Sequence, residues 1–141
     1  MFEKKFYERL RTWNSFRETL ETSIDPIQDI IDFYKTAPLV NIQVDPWDPS
    51  TWLDPWELVY ENQYCDFSKL LGICYSLQLT ERFISENFEI HIVTNKKESK
   101  VYYLLFFQNK VIGYDCSKAV DRKDLPKELE IQKIYTMPPL N

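Results

Sequence analysis

A chain of 141 residues, 44% hydrophobic and 16% aromatic, can bury a core of its own and is too apolar to stay disordered. With only two glycines it has no glycine-rich phosphate loop, and its formal net charge of -5 opposes a nucleic-acid backbone as the main partner. No stretch approaches the roughly 18 apolar residues of a membrane span, and Met1-Phe-Glu-Lys-Lys-Phe6 lacks the apolar segment of an export signal, so a cytoplasmic setting without membrane contact is expected.

Residues 3–20 read as an amphipathic helix, because Phe6, Leu10, Trp13, Arg17 and Leu20 step by three or four. Asp25-Pro26 restarts the helix with an N-cap and a proline suited to the first helical position. Ile27, Ile30, Ile31 and Tyr34 then share an apolar face, and Pro38 ends the helix by Lys35–Ala37. Residues 38–53 carry Pro38, Pro46 and Pro49 with Trp47 and Trp52, and are read as a loop. This loop either covers the core, pinned by its tryptophans, or walls a groove beside Cys65.

Asp54-Pro55-Trp56-Glu57 has the form of a capping box and predicts a short helix over about 55–62. A second helix is predicted from about Asp66 to Leu79, with Leu70, Leu71, Cys74 and Leu77 on one face. A glycine inside a helix costs about 1 kcal/mol against alanine, so Gly72 signals the close approach of another element. Cys74 falls on the apolar face as a packed thiol. Cys65 sits at the start of the second helix, where unpaired N–H groups and the helix dipole favour a thiolate.

Beyond residue 85 the periodicity changes to that of strands. Phe88–Thr94 alternates, placing Phe88, Ile90 and Ile92 on one face and Glu89, His91 and Val93 on the other. Residues 95–100 form a charged hairpin tip, and Val101–Phe107 reads as a central strand buried on both faces. A turn at Asn109-Lys110 leads into a third strand ending at Asp115-Cys116. Residues 121–130 read as a surface loop, and Ile131–Thr136 as a fourth strand. Helices followed by strands imply an α+β fold, with N-terminal helices packed on an antiparallel meander of three to four strands. One domain is expected over 1–141: a helical part at 1–37, the Pro/Trp loop at 38–53 and the core at 54–141.

An odd number of cysteines (Cys65, Cys74 and Cys116) without an export signal suits a reducing compartment. No CxxC pair accompanies the single histidine, so neither a metal nor a cofactor is expected. Cys65, His91 and Asp115 form the one ordered set able to act as nucleophile, base and orienting acid. An acyl transfer follows from those roles: the Cys65 thiolate attacks an amide or ester carbonyl and His91 protonates the leaving group. The Cys65 N–H would be one oxyanion donor, with Gln63, Trp52 or Trp56 as the second.

The run Trp56-Glu57-Leu58, Cys65-Asp66-Phe67-Ser68, Leu70-Leu71-Gly72, then His91 and Ile112-Gly-Tyr-Asp115, resembles the core of transglutaminase-like (papain-like) cysteine proteins over residues 54–116. The resemblance implies a cysteine-headed helix on an antiparallel sheet, and carries the nucleophile role to Cys65, the base role to His91 and the orienting role to Asp115. Gln63 stands where that family often has glycine, and Ile92-Val93 replace its small residue and aromatic. The chain as a whole is also similar in style to small proteins of tailed bacteriophages, which would make its setting a host cytoplasm. Two functions are therefore expected in competition. One is a cysteine-dependent peptidase, amidase or transglutaminase. The other is a non-catalytic interaction or virion-accessory protein that keeps the fold and binds a protein or peptide partner through Trp47, Trp52 and Trp56.

Overall fold

The computed structural model describes residues 1–40 and 44–140, so residues 41–43 of the Pro/Trp loop and Asn141 lie outside the described residues. Helix α1 spans Phe6–Leu20 and α2 spans Pro26–Tyr34. The start of α2 follows its sequence signal: the Asp25 carboxylate accepts the Gln28 N–H at 3.2 Å, with Pro26 at the first position. Helix α3, Pro55–Glu61, opens with a complete capping box, Glu57 N–H to Asp54 at 2.8 Å and Asp54 N–H to Glu57 at 3.0 Å. It closes at Asn62, whose φ of 52° is left-handed. Helix α4, Asp66–Gln78, follows with Cys65 as its N-cap residue.

Among the described residues, five strands then form one antiparallel sheet: β1 (Phe88–Asn95), β2 (Lys100–Phe107), β3 (Lys110–Ile112), β4 (Val120–Asp121) and β5 (Leu129–Thr136). Their order is β4-β3-β2-β1-β5. The expected meander is present as β1-β2-β3, and β2 is central. The expected count of three to four strands is corrected to five. The short β4 hides in a polar stretch, and β5 returns across the sheet to pair with β1 instead of extending the meander. The β1–β5 ladder slips by one residue between Ile92 and Val93, a β-bulge that twists the edge strand.

Strand alternation gives the sheet two faces. Phe88, Ile90, Leu105, Phe107 and Ile112 join the helices in the main core, where Phe88 stacks on Phe107 at 4.9 Å. Val93, Tyr102, Leu104, Phe106 and Val111 form a smaller cluster on the outer face, closed by Tyr114, Val120 and Leu125 from the chain between β3 and β5 and by Leu129 at the start of β5. Val101–Phe107 was expected to be buried on both faces, and it is from Leu104 onward.

Eleven of the thirteen residues of α4 are buried. A helix enclosed this way must satisfy its polar side chains internally. Ser76 Oγ donates to the Gly72 carbonyl at 2.7 Å and accepts the Trp13 indole N–H at 2.9 Å, with the Tyr34 hydroxyl 3.4 Å away. One hydroxyl thus ties α1, α2 and α4 together. Gly72 makes room for this: a Cβ there would lie 2.6 Å from the Tyr34 ring. The close approach expected at Gly72 is that of Tyr34.

Gly72→Ala is expected to lower stability. Overpacking costs about 1–3 kcal/mol, which outweighs a propensity gain of about 1 kcal/mol. A melting temperature equal to or above that of the parent protein would show that the Tyr34 ring moves aside freely. Burial also pushes the Tyr34 phenol up from 10.0 to about 12. A raised folded-state value means stability that is complete below about pH 10 and lost as pH rises through about 12. Denaturant titrations are expected to show roughly 2–3 kcal/mol lost from this group across that window, at about 1.4 kcal/mol per pH unit. Tyr34→Phe should flatten that part of the profile, and an unchanged slope would refute the assignment.

Candidate functional site

Cys65 occupies the position its sequence context suggests. It is half-buried, precedes the first turn of α4, and its carbonyl accepts the Lys69 N–H at 3.0 Å. Its side chain caps no backbone group, and Sγ lies 3.3 Å from Ser68 Oγ. The thiol rests against the main core on the helix side of the sheet, beside Tyr103. The Tyr103 phenol is pushed up, first by burial and then by Cys65, Asp45 and Asp66.

His91 lies on the other side. In β1 it sits opposite Leu104 of β2 and Ile134 of β5, and its ring stacks on Phe106 at 3.9 Å on the outer face. Nε2 meets Glu89 Oε1 at 3.0 Å, while Nδ1 is buried and has no hydrogen-bond partner among the described residues. The sheet therefore stands between the Cys65 sulfur and the His91 imidazole. The expectation that His91 serves Cys65 as its base is corrected by strand parity. His91 shares its face with Glu89 and Val93 as read, and the helices cover the opposite face.

Asp115 is not the end of a strand. β3 stops at Ile112, and Asp115 lies in the following bends, where its carboxylate accepts the Ser117 N–H and hydroxyl, both at 2.8 Å. Those bonds hold it below the usual carboxylate range. It makes no bond to His91, whose carboxylate partner is Glu89. The three residues of the expected triad are thus dispersed, and sequence reasoning missed Glu89, two residues from His91 on the same face. Period-two alternation signals that pairing.

The aromatic residues separate into pinned and free groups. The Trp52 indole N–H donates to the Asp45 carbonyl at 2.9 Å, and its ring meets Phe67 and Tyr135, each at 4.9 Å. It is a structural pin and has no N–H left for an oxyanion. Trp13 is fully buried. Trp47 and Trp56 are about half exposed, at 52% and 49%, and Gln63 is exposed beside the short bridge between Leu39 and Tyr64. Trp56 and Tyr60, one turn apart on α3, stand out from the surface.

A cleft of about 520 Å3 lies between α2, α4, the start of β2 and the bends after β3. Tyr103, Asp66 and Asp115 line it, with Lys35, Lys69 and Lys100 around them. Among the described residues no three His, Cys, Asp or Glu side chains gather to hold a metal ion. No described helix is long and apolar enough to cross a membrane.

No protein-family model matches this chain, and no curated protein matches it. The three thiols differ sharply in setting: Cys116 is exposed, Cys65 intermediate, and Cys74 buried with its pKa pushed up by that burial. Iodoacetamide at pH 8, followed by peptide mapping, is expected to label Cys116 first, Cys65 more slowly, and Cys74 only on unfolding. Fast labelling of Cys74 in the native protein would contradict the packing of α4.

Proposed function

We propose that this chain is a non-catalytic, partner-binding protein built on a transglutaminase-like core. The core part of the reading rests on a cysteine-headed helix laid against an antiparallel sheet. The observation that carries the non-catalytic part is the position of Cys65 and His91 on opposite faces of that sheet. Acyl transfer by a cysteine needs a base within hydrogen-bond reach of the sulfur. No rotamer change moves a side chain through a sheet, because the face is set by backbone register.

The binding part rests on the exposed aromatics of α3. Trp56 and Tyr60 are held from behind: Trp13 meets Trp56 edge-on at 6.4 Å and Phe6 meets Tyr60 at 5.2 Å. Arg9 fastens the end of the helix by donating to the Val59 and Tyr60 carbonyls, each at 3.0 Å. Rigid, amphipathic anchors of this kind lose little entropy on binding and dominate protein interfaces. The partner surface thus centres on α1 and α3, with Trp47 of the Pro/Trp loop as a further exposed aromatic. A protein partner fits this surface, and a virion-accessory role is the setting suggested by the likeness to tailed-phage proteins.

Two measurements test the reading. The pH dependence of Cys65 alkylation is expected to be the same in the parent protein and in His91→Ala; a thiolate titration that depends on His91 would restore the enzyme. Trp56→Ser with Tyr60→Ser should weaken capture of a protein partner from a lysate of the source cells at least tenfold, since hot-spot truncations cost about 2 kcal/mol or more. Identical capture by both proteins would remove the aromatic face from function.

A further inference from the structure

The two edges of the sheet differ. β4 closes one side with two residues, whereas β5 closes the other with eight and contains no proline. An edge strand is a template for another strand, and a long one with exposed apolar side chains invites pairing. β5 carries Ile131 and Ile134, which are 59% and 45% exposed. Both lie on the outer face, because Ile131 is opposite Val93 and Ile134 is opposite His91. The apolar surface of the outer cluster therefore runs out to the free edge.

The ladder with β1 determines where the backbone groups of β5 point. The Met137 N–H donates to the Phe88 carbonyl at 2.9 Å, so these two residues form a hydrogen-bonded pair. By the period of two, Tyr135 and Lys133 direct their N–H and C=O groups to β1, while Thr136 and Ile134 direct theirs away. Beyond the bulge Glu130 takes up the pairing with Thr94, and Ile131 points away in its turn. Among the described residues no hydrogen bond reaches the outward groups of Ile131, Ile134 or Thr136.

The charges of β5 lie on its other face. Glu130 is opposite Thr94 and Lys133 opposite Ile92, which places both on the helix side. Glu130 meets Lys96 of the hairpin tip at 3.3 Å and stays half exposed. Lys133 reaches the Tyr135 ring at 5.6 Å and, among the described residues, pairs with no carboxylate.

We propose that β5 pairs antiparallel with β5 of a second copy of this chain, about a two-fold axis between Gln132 and Lys133. In this register each Ile131 lies opposite the partner's Ile134. All four of these residues have outward backbone groups, so each pair exchanges two hydrogen bonds, and the isoleucines cover one another on the outer face. On the helix side Glu130 is the diagonal neighbour of the partner's Lys133, about 7–8 Å away along the backbone and within reach of long side chains. The contact is isologous, each strand supplying both halves of every pair. Lys133 opposes an unrelated apolar strand at this edge but meets an acid in a second copy, which selects that occupant. The edge is separate from the aromatic face of α1 and α3, so this inference stands or falls independently of that face.

Sedimentation of the full chain over a range of concentrations tests it. A dimer is expected, with amide exchange at Ile131 and Ile134 slowing as the dimer forms. Ile134→Pro removes an outward N–H without touching the ladder to β1, and should raise the dissociation constant at least tenfold. Glu130→Lys and Lys133→Glu should each weaken self-association, and an equimolar mixture of the two should restore it, because each chain then meets the opposite charge in its partner. Trp56→Ser with Tyr60→Ser should leave the dimer unchanged. A chain that stays monomeric up to its solubility limit overturns the proposal. So does a dimer indifferent to Ile134→Pro, or one that the mixture of charge variants does not restore.

Discussion

The near-complete burial of α4 is the constraint on which the other elements depend. A buried helix has to give each of its polar side chains a partner, and Ser76 meets that demand with bonds that reach into two other helices. The Trp13 and Tyr34 rings have to arrive at one hydroxyl, which determines how α1 and α2 lie against α4. Gly72 lets Tyr34 come close enough. At the far end of the helix, the Gln78 side chain reaches the Pro138 carbonyl at 3.0 Å and so links the C-terminal segment to the same core. The sheet is placed by this helix in turn, through Phe67 and Leu70 against the helix-side face of β2 and β3.

The same layering separates the chemistry. A sheet with helices on one face and a short covering segment on the other sorts its side chains by parity. Cys65, which heads the enclosed helix, belongs to the helix side, while His91 belongs to the outer cluster with Phe106 and Glu89. A histidine that is 6% exposed, stacked on a phenylalanine and bonded to a carboxylate on its own strand is part of the packing of that face. The fold thus holds a cysteine at a helix start and a lone histidine without assembling them. On the surface, aromatic side chains project from α3, and β3 pairs with β2 over three residues only.

Both surface features arise from local interruptions of regular structure. Helix α3 is a short stub, capped at Asp54 and stopped at Asn62, and it turns Trp56 and Tyr60 outward because Leu58 and Val59 fill its inner side. β3 ends after three residues at Gly113, whose backbone lies against the Tyr103 carbonyl. Neither depends on a flexible segment. Each is held by named contacts, by Arg9 on the carbonyls of α3 and by Gln28 on the loop after β3.

Features set by near neighbours along the chain were legible in the residues. The Asp25-Pro26 start, the capping box at Asp54, the cysteine at the head of α4, the buried thiol of Cys74 and the alternation of β1 all rest on backbone geometry and hydrogen bonds within a few residues. The close approach at Gly72 was also legible, because a helix tolerates an interior glycine at a cost that packing must offset. Gly113 carried a comparable signal, since an isolated glycine in a strand pattern marks a bend or a close backbone approach. Long-range packing settles which strand lies beside β1, that Tyr34 fills the space at Gly72, and which face of the sheet the helices cover. Alternation sorts residues into two sets, but it does not say which set meets α4. That choice depends on contacts between residues far apart in sequence, and it is what parts Cys65 from His91.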